Sequence, residues 1–137
     1  MELHTYFSNL GLLRVSWGPV IDTDSIRRHF DLLIANKNYA RDLKIITSAE
    51  VEELAFPLTH EKMETFRRWR EEALTDYDSL TTAFYSIKPV PAAYIDYFSE
   101  FFDTEKSLMR QFSSQEAALK WLIPGYQPNG LMELYLD

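Results

Sequence analysis

The sequence predicts a single α/β domain, a sandwich in which about four helices pack on a mixed central sheet of about five strands. Short apolar runs alternate along the chain with longer segments of helical periodicity. Residues 43–48 form an apolar run with a polar end, which is typical of a buried parallel strand at the centre of a sheet. A length of 137 residues is that of one domain with one continuous core.

The first third of the chain predicts a β-hairpin followed by a helix. Residues 3–7 and 12–17 are β-prone, and the Ser-Asn-Leu-Gly connection between them suits a tight turn. Asp22 or Thr23 can cap a helix that ends near Asn36. The apolar face of this helix contains Ile26, Phe30, Leu33 and Ile34.

His29 lies beside that apolar face, three residues after Ile26. No acidic or histidine partner is predicted near it. A single histidine in this position indicates a residue at the edge of the core rather than a ligand or a catalytic base.

An acid-rich loop at residues 49–57 separates the central strand from a second helix, for which Thr59 is a good N-cap. The buried face of this helix is predicted to contain Met63, Phe66, Trp69 or Arg70, Ala73 and Leu74. The basic cluster at residues 67–70 is interleaved with glutamates, so it indicates a solvated helix face rather than a nucleic-acid site.

The second half continues the alternation with a strand at residues 80–87, a helix that begins near Pro91 and a strand at residues 107–112. Ser113 and Glu116 have the spacing of a capping box and predict a short final helix. The inner residues are Tyr94, Ile95, Phe98, Phe101 and Phe102 in the third helix, and Ala118, Trp121 and Leu122 in the fourth.

Residues 1–122 are predicted to form the domain, and residues 123–137 a carboxyl-terminal extension. Residues 131–136 are too apolar to remain free in water, so we expect the extension to pack on the domain or on a partner subunit. A homodimer is therefore one of the assemblies that the sequence leaves open.

Composition excludes several classes of function. A net charge of −7 argues against nucleic acid and anionic membranes as partners, because both are bound chiefly through Lys and Arg. The chain has no cysteine, which excludes disulfides and thiolate chemistry and is compatible with the cytoplasm. The amino terminus lacks the features of a signal peptide, and no apolar run is long enough for membrane insertion. We therefore expect a soluble cytoplasmic protein.

No catalytic or cofactor-binding pattern is found. The chain has only four glycines, which suit turns, and no Gly-x-Ser-x-Gly sequence. His60 and Glu64 lie one helical turn apart, but the second histidine of a zinc-binding helix is missing. The acids Glu50, Glu52 and Glu53 lie in a predicted loop, where neighbouring carboxylates are usually solvated. The sequence predicts no enzyme, no cofactor and no metal site.

Four segments together resemble a known family: the hairpin that ends in Val15-Ser16-Trp17-Gly18, the helix from Asp22 to Asn36, the strand at residues 43–47 and the strand-to-helix element at residues 112–122. The family is the SpoIIAA-like branch of the STAS superfamily, small bacterial domains also described as SEC14-like. The element at residues 112–122 is similar to the family's closing element and is the most specific part. The resemblance covers residues 3–122.

The resemblance implies four helices, five strands and no known enzymatic activity. In the anti-sigma-factor antagonists of the family it implies a binding surface near a phosphorylatable serine after the central strand, and Ser48 is nearest to that place. The chain departs from the family pattern, because an Asp-Ser-Ser-Gly type sequence is absent. Glu50, Glu52 and Glu53 would also repel an added phosphate, so phosphorylation of Ser48 is retained only as a hypothesis.

Two functions from different classes follow. The first is a non-enzymatic protein-interaction or regulatory module, which docks on another protein or on a second copy of itself. Its docking surface is predicted at residues 47–56, beginning with Thr47, Ser48 and Glu50, together with the adjacent helix. The missing catalytic residues, the acidic loop and the apolar tail motivate this hypothesis.

The second function is a carrier or sensor of a small apolar ligand, held in a cavity beneath the aromatic third helix. Phe66, Trp69, Phe98 and Phe101 are predicted to line it, and the SEC14-like description of the family points the same way. The competing interpretation is that these side chains simply fill the core. A carrier of this type needs a cavity of roughly 300 Å³ or more in its resting form.

Overall fold

The structure, a computed structural model, describes residues 3–48, 52–85, 97–100 and 102–126. It confirms an α/β fold with a mixed five-stranded sheet and four helices. The helices are α1 (Thr23–Ala35), α2 (His60–Leu74), the helical segment α3 at residues 97–100 and 102, and α4 (Gln115–Leu122). The strands are β1 (His4–Phe7), β2 (Leu12–Val15), β3 (Val20–Asp22), β4 (Asp42–Ser48), β5 (Glu53–Ala55), β6 (Ser79–Tyr85) and β7 (Ser107–Phe112).

The main sheet has the strand order β1-β2-β4-β6-β7, so the predicted central strand is its middle strand. β1 and β2 form the predicted antiparallel hairpin, and all later neighbours are parallel. Gly11 in the hairpin has a φ of +59°, and a Cβ there would lie 3.3 Å from the Cβ of Ala40. Glycine is therefore needed both for the turn and for this close approach.

Strand register places the carboxyl ends of the parallel strands at one edge of the sheet. Val15 pairs with Thr47 and Thr47 pairs with Phe84, while Ser48 pairs with Tyr85 one residue further on. In open α/β sheets this edge is where ligands bind.

Neighbouring residues of a strand point to opposite faces of the sheet, and both faces are buried here. Ile45 packs with residues of α1 and α2 in one core, whereas Ile46 packs with residues of α4 in another. Leu12 and Leu13 divide in the same way and are both fully buried. The near-continuous apolar run of the central strand thus serves two cores at once.

A second, two-stranded sheet was not predicted. β3 and β5 pair in parallel, and the carbonyl of Pro19 accepts hydrogen bonds from the amides of Glu52 and Glu53 at 2.7 and 3.0 Å. The prediction that residues 49–57 form only an acidic loop is therefore wrong for β5. Each strand is three residues long, too short for a periodic pattern, and the pairing depends on backbone groups. We call this unit the β3–β5 lid.

The first two helices begin where the sequence predicts. The carboxylate of Asp22 accepts from the Ser25 amide at 2.8 Å and forms a capping box with it. The hydroxyl of Thr59 accepts from the Lys62 amide at 3.1 Å. Both caps satisfy amide groups that have no partner within the helix.

The cap of α4 differs from the prediction. Ser114, not Ser113, is the N-cap, and its hydroxyl accepts from the Ala117 amide at 3.1 Å. Trp121 is 36% exposed rather than internal, and Leu119 is buried in its place. The helix therefore starts one residue later than predicted.

Several predictions concern parts of the chain outside the described residues: Glu50, Pro91, Tyr94, Ile95, Phe101 and the tail beyond Tyr126. Within the described part of the extension, Ile123 and Tyr126 pack against the core on the α4 side of the sheet. Among the helices that the structure describes, none is long and apolar enough to cross a membrane.

The α4 cap can be tested with two adjacent serines. Ser114→Ala should lower the free energy of unfolding by about 1 kcal/mol, because the Ala117 amide loses its acceptor. Ser113→Ala, at an exposed neighbour, should change it by less than about 0.5 kcal/mol. Urea denaturation followed by circular dichroism measures both, and a larger loss in Ser113→Ala would restore the cap that the sequence predicts.

Candidate functional site

A cavity of about 170 Å³ lies on the α1 and α2 side of the sheet and extends to the carboxyl ends of the strands. Side chains from the sheet, α1, α2, α3 and the β3–β5 lid surround it. The described lining residues are Val15, Trp17, Ile21, Ile26, His29, Phe30, Leu33, Ile45, Thr47, Ser48, Glu52, Glu53, Leu54, Phe56, Phe66, Arg70, Leu80, Thr82, Phe84, Phe98, Phe102 and Met109.

The wall of the cavity is mostly apolar and contains several aromatic rings. Phe56, which follows β5, meets Phe66 of α2 edge to face, with ring centroids 5.1 Å apart. Phe98 and Phe102 of α3 lie 6.1 Å apart by the same measure. These contacts connect the lid, α2 and α3 around one space.

Arg70 is the exception in this wall, because it is a charged side chain that is only 7% exposed. Its guanidinium donates hydrogen bonds to the Phe102 carbonyl and to the Ser107 hydroxyl. It also lies 5.5 Å from the centroid of the Phe102 ring. Burial lowers the pKa of Arg70 to about 10, with an opposing contribution from Asp103, so the side chain remains a cation at neutral pH.

His29 is also in the wall, and it has a histidine partner. Its Nδ1 lies 2.8 Å from the Nε2 of His4, and the Nδ1 of His4 lies 3.2 Å from the hydroxyl of Tyr39. The ring of Trp17 meets the ring of His29 edge to face at 5.1 Å. The three polar side chains form one buried chain of hydrogen bonds that ends at the cavity.

Both histidines are neutral at physiological pH. Burial and the nearby Arg28 lower the pKa of His4 to about 4. Burial, His4 and the charge of Arg70 hold the pKa of His29 well below its usual value. A cation on either ring would be desolvated and would face other positive groups, which explains the direction of both shifts.

The structure brings four of the predicted site residues together. Thr47, Ser48, Phe66 and Phe98 all line the cavity. Trp69 does not; its ring packs 5.6 Å from that of Phe66, with the guanidinium of Arg27 5.1 Å away on the helix surface. The sixth predicted residue, Glu50, lies outside the described residues.

Two functional features were missed in the sequence. The interpretation of His29 as a residue without a histidine partner is wrong, because β1 carries His4 to within hydrogen-bond distance of α1. Twenty-five positions separate these residues, and no motif links them. The sequence predicts either Trp69 or Arg70 on the buried face of α2. A single basic residue on an apolar helix stripe is the signal that could have identified Arg70.

The size of the cavity limits what it can hold. A volume of about 170 Å³ is below the roughly 300 Å³ that the carrier hypothesis from the sequence requires of the resting form. In this form the cavity is too small for a drug-sized or lipid-sized ligand. It is close to the volume of about 150 Å³ at which an engineered apolar cavity binds benzene, so a molecule of one ring or a short chain fits.

A second, more open depression of about 430 Å³ lies between α4 and the amino ends of β4 and β6. It is lined by Asp42, Lys44, Ser79, Thr81, Trp121, Leu122 and Pro124. Asp42 and Trp121 are exposed, and no charged side chain of this lining is buried. The larger volume therefore lacks the enclosed apolar wall and the buried polar groups that characterise the first cavity.

A metal centre has no support in the part of the chain that the structure describes. No three His, Asp or Glu side chains come together there. His60 and Glu64, the pair that resembles a zinc-binding helix, are 3.9 Å apart, and the histidine side chain is 81% exposed.

Comparison of the chain with protein-family models, with curated proteins and with solved structures finds no match. The resemblance to SpoIIAA-like domains therefore stays a prediction.

The buried histidine pair predicts a stability that falls with acid. The unfolded chain binds protons at both histidines near their usual pKa of 6.5, whereas folded His4 binds one only near 4 and His29 only well below its usual value. Stability is therefore full above the unfolded pKa and is lost as pH falls below it. Between about pH 7 and about pH 5 the free energy of unfolding should decrease by about 2 kcal/mol through His4, and His29 should add to this loss.

Urea titrations across this pH range measure the effect. His4→Gln should lose part of the pH dependence, since one titrating ring is removed. His60→Gln is the matched control, because it makes the same substitution at a histidine that is exposed on α2 and lies outside the buried pair. If the free energy of unfolding of the wild-type protein does not change over this pH range, the folded protein binds these protons as readily as the unfolded chain.

Proposed function

We propose that this domain is a non-enzymatic receptor, a carrier or sensor that holds a small, mostly apolar molecule in the cavity beside α2. The observation that supports this most directly is a cavity with an apolar wall whose lining also contains two buried polar side chains, Arg70 and His29. An apolar pocket with few, specifically placed polar groups is the usual form of a ligand site. We place this activity in the cytoplasm, in keeping with a chain that lacks cysteine.

The β3–β5 lid provides a route for the ligand. Ile21 of β3 and Leu54 of β5 line the cavity and pair with each other in the lid. The lid is two strands of three residues each, so few backbone hydrogen bonds hold it closed. Short segments of this kind open locally at small cost in free energy. Opening the lid would admit a ligand without disturbing the main sheet.

A sensor also needs a connection between the ligand and the rest of the domain. β3 leads directly into α1, because Asp22 is both the last residue of β3 and the N-cap of α1. A ligand that shifts Ile21 would therefore act on the start of α1. This coupling gives the receptor a regulatory output without an enzymatic step.

A protein-interaction module is the second candidate, and the exposed surface near the lid favours it. Val20 in β3 and Leu58 just before α2 are 42% and 43% exposed. Large apolar side chains that remain in water are common at docking surfaces. In this alternative the domain binds another protein or a second copy through the lid, and the cavity is only imperfect packing.

Filling the cavity tests the receptor function. Thr82→Leu adds apolar volume to the cavity wall and should weaken binding of a one-ring probe such as toluene by at least about tenfold. Thr81→Leu is the matched control, because the adjacent residue lines the depression on the other face of β6. Protein-observed NMR titrations measure both variants, and equal toluene binding by the two would place the probe elsewhere.

Native mass spectrometry of protein purified gently from a bacterial host complements this titration. An added mass that is lost on denaturation, and that is absent from Thr82→Leu, is the expected result for a receptor. A bare protein in both samples, together with no binding of toluene, would contradict the receptor function.

The docking alternative predicts a different sensitivity. Leu58→Ser should release a protein partner captured by the wild-type chain at modest salt, because it removes exposed apolar surface near the lid. Leu108→Ser, at an exposed leucine of β7, should retain the partner. Affinity capture followed by mass spectrometry compares the two, and identical captures would exclude Leu58 from the docking surface.

A further inference from the structure

We propose that the ligand of this cavity is a small organic carboxylate, with its apolar body against the aromatic wall and its carboxylate between Arg70 and His29. This inference rests on the proposed receptor function and specifies the class of ligand.

Arg70 has no ion-pair partner in the part of the chain that the structure describes, because no carboxylate there lies within ion-pair distance of its guanidinium. The carboxylate of Asp103 favours the charged form of Arg70 from a greater distance, but its two oxygens accept from the Met109 amide at 3.0 Å and from the Arg110 guanidinium at 2.6 Å. Buried charges in proteins are normally paired, so a buried arginine without a counter-charge indicates that an anion completes the site.

The donors of Arg70 are already positioned. The Phe102 carbonyl and the Ser107 hydroxyl hold the guanidinium, and a pair of backbone hydrogen bonds between Thr104 and Ser107 closes the segment that carries them. A guanidinium has more N–H groups than these two acceptors use. The remaining N–H groups have no acceptor in the described part of the chain, and a carboxylate is the group whose two oxygens match their geometry.

The histidine chain adds a polar group to the same cavity wall. One tautomer follows if the buried Tyr39 hydroxyl donates its hydrogen to the Nδ1 of His4, the acceptor within reach. In that tautomer His4 carries its proton on Nε2 and donates it to the Nδ1 of His29. The proton of neutral His29 is then on its Nε2, which has no hydrogen-bond partner among the described residues. In this assignment the cavity wall offers donors from two side chains.

Folding has already removed most of the water from Arg70, which favours an anion over a neutral ligand. A carboxylate that enters loses its own hydration but gains a cation that is held in place and poorly solvated. A neutral amide of the same shape gains only weaker hydrogen bonds, and its N–H groups face the donors of the site. A cationic ligand would be repelled by Arg70.

The test compares ligands of one shape and different charge on the unaltered protein. Benzoate, benzamide and toluene are titrated by protein-observed NMR at neutral pH and low salt. Benzoate should bind at least about tenfold more tightly than benzamide, the difference expected for hydrogen bonds to a charged group. If benzamide or toluene binds as tightly as benzoate, the carboxylate is overturned while the receptor function stands. If none binds at millimolar concentration, the receptor function fails as well.

Two variants on one helix locate the anion. Arg70→Gln should lower benzoate affinity by at least about tenfold and leave toluene binding within about threefold. Arg68→Gln makes the same change of charge on the exposed face of α2 and should leave both affinities unchanged. Equal losses in the two variants would indicate general attraction to a basic surface and contradict the site. If Arg70→Gln does not fold, the ligand series on the unaltered protein decides the question.

Discussion

The burial of the central sheet on both faces is the constraint from which the rest of this domain follows. β4 has apolar side chains on both sides, so helices must cover both. α4 covers one face, and α1 and α2 cover the other. Because β2, β4, β6 and β7 run in parallel, all four end at one edge, where the α1 and α2 layer is completed by the β3–β5 lid and α3. The cavity lies where these short elements meet.

Two kinds of buried polar group lie at that edge, and the protein satisfies them differently. His4 and His29 remain neutral and hydrogen-bond to each other, so their burial requires no counter-charge. Arg70 remains charged and is held by a carbonyl and a hydroxyl, which supply partial negative charge only. Neutral groups with hydrogen-bond partners are stable in an apolar wall, whereas a buried guanidinium without an ion-pair partner can still bind an anion. This difference is the reason that the proposed anion site is assigned to the charge of Arg70, with the histidines as neutral hydrogen-bonding groups.

The sequence predicted the strands and helices that carry long periodic patterns. The hairpin, β4, α1 and α2 appear as expected because each contains several apolar residues at the spacing of its own secondary structure. The β3–β5 lid was missed because three residues cannot show a period. The start of α4 was displaced because Ser113 and Ser114 are both good caps, and the sequence alone does not decide between them.

The candidate site, like the fold, was predictable from the sequence only in part. Thr47 and Ser48 were predicted from the rule for strand ends and Phe66 and Phe98 from buried aromatic helix faces, for two different functions, and all four line one cavity. Trp69 was misplaced because the buried stripe of α2 passes through Arg70 instead. The histidine pair depends on contacts between β1 and α1, which are distant in sequence, so no local pattern could reveal it.

The charged residues around the cavity lie at two different depths, so they would act on different steps, ligand entry and ligand binding. Glu52 and Glu53 are exposed at the lid end, whereas Arg70 is buried inside. Exposed charges are screened by salt, but a buried charge is screened much less. In the proposed receptor the glutamates would repel an approaching anion mainly at low ionic strength and so affect its rate of entry, while the arginine would determine how tightly the anion is held. The same arrangement disfavours a phosphate on Ser48 at the mouth and favours an anion beneath it.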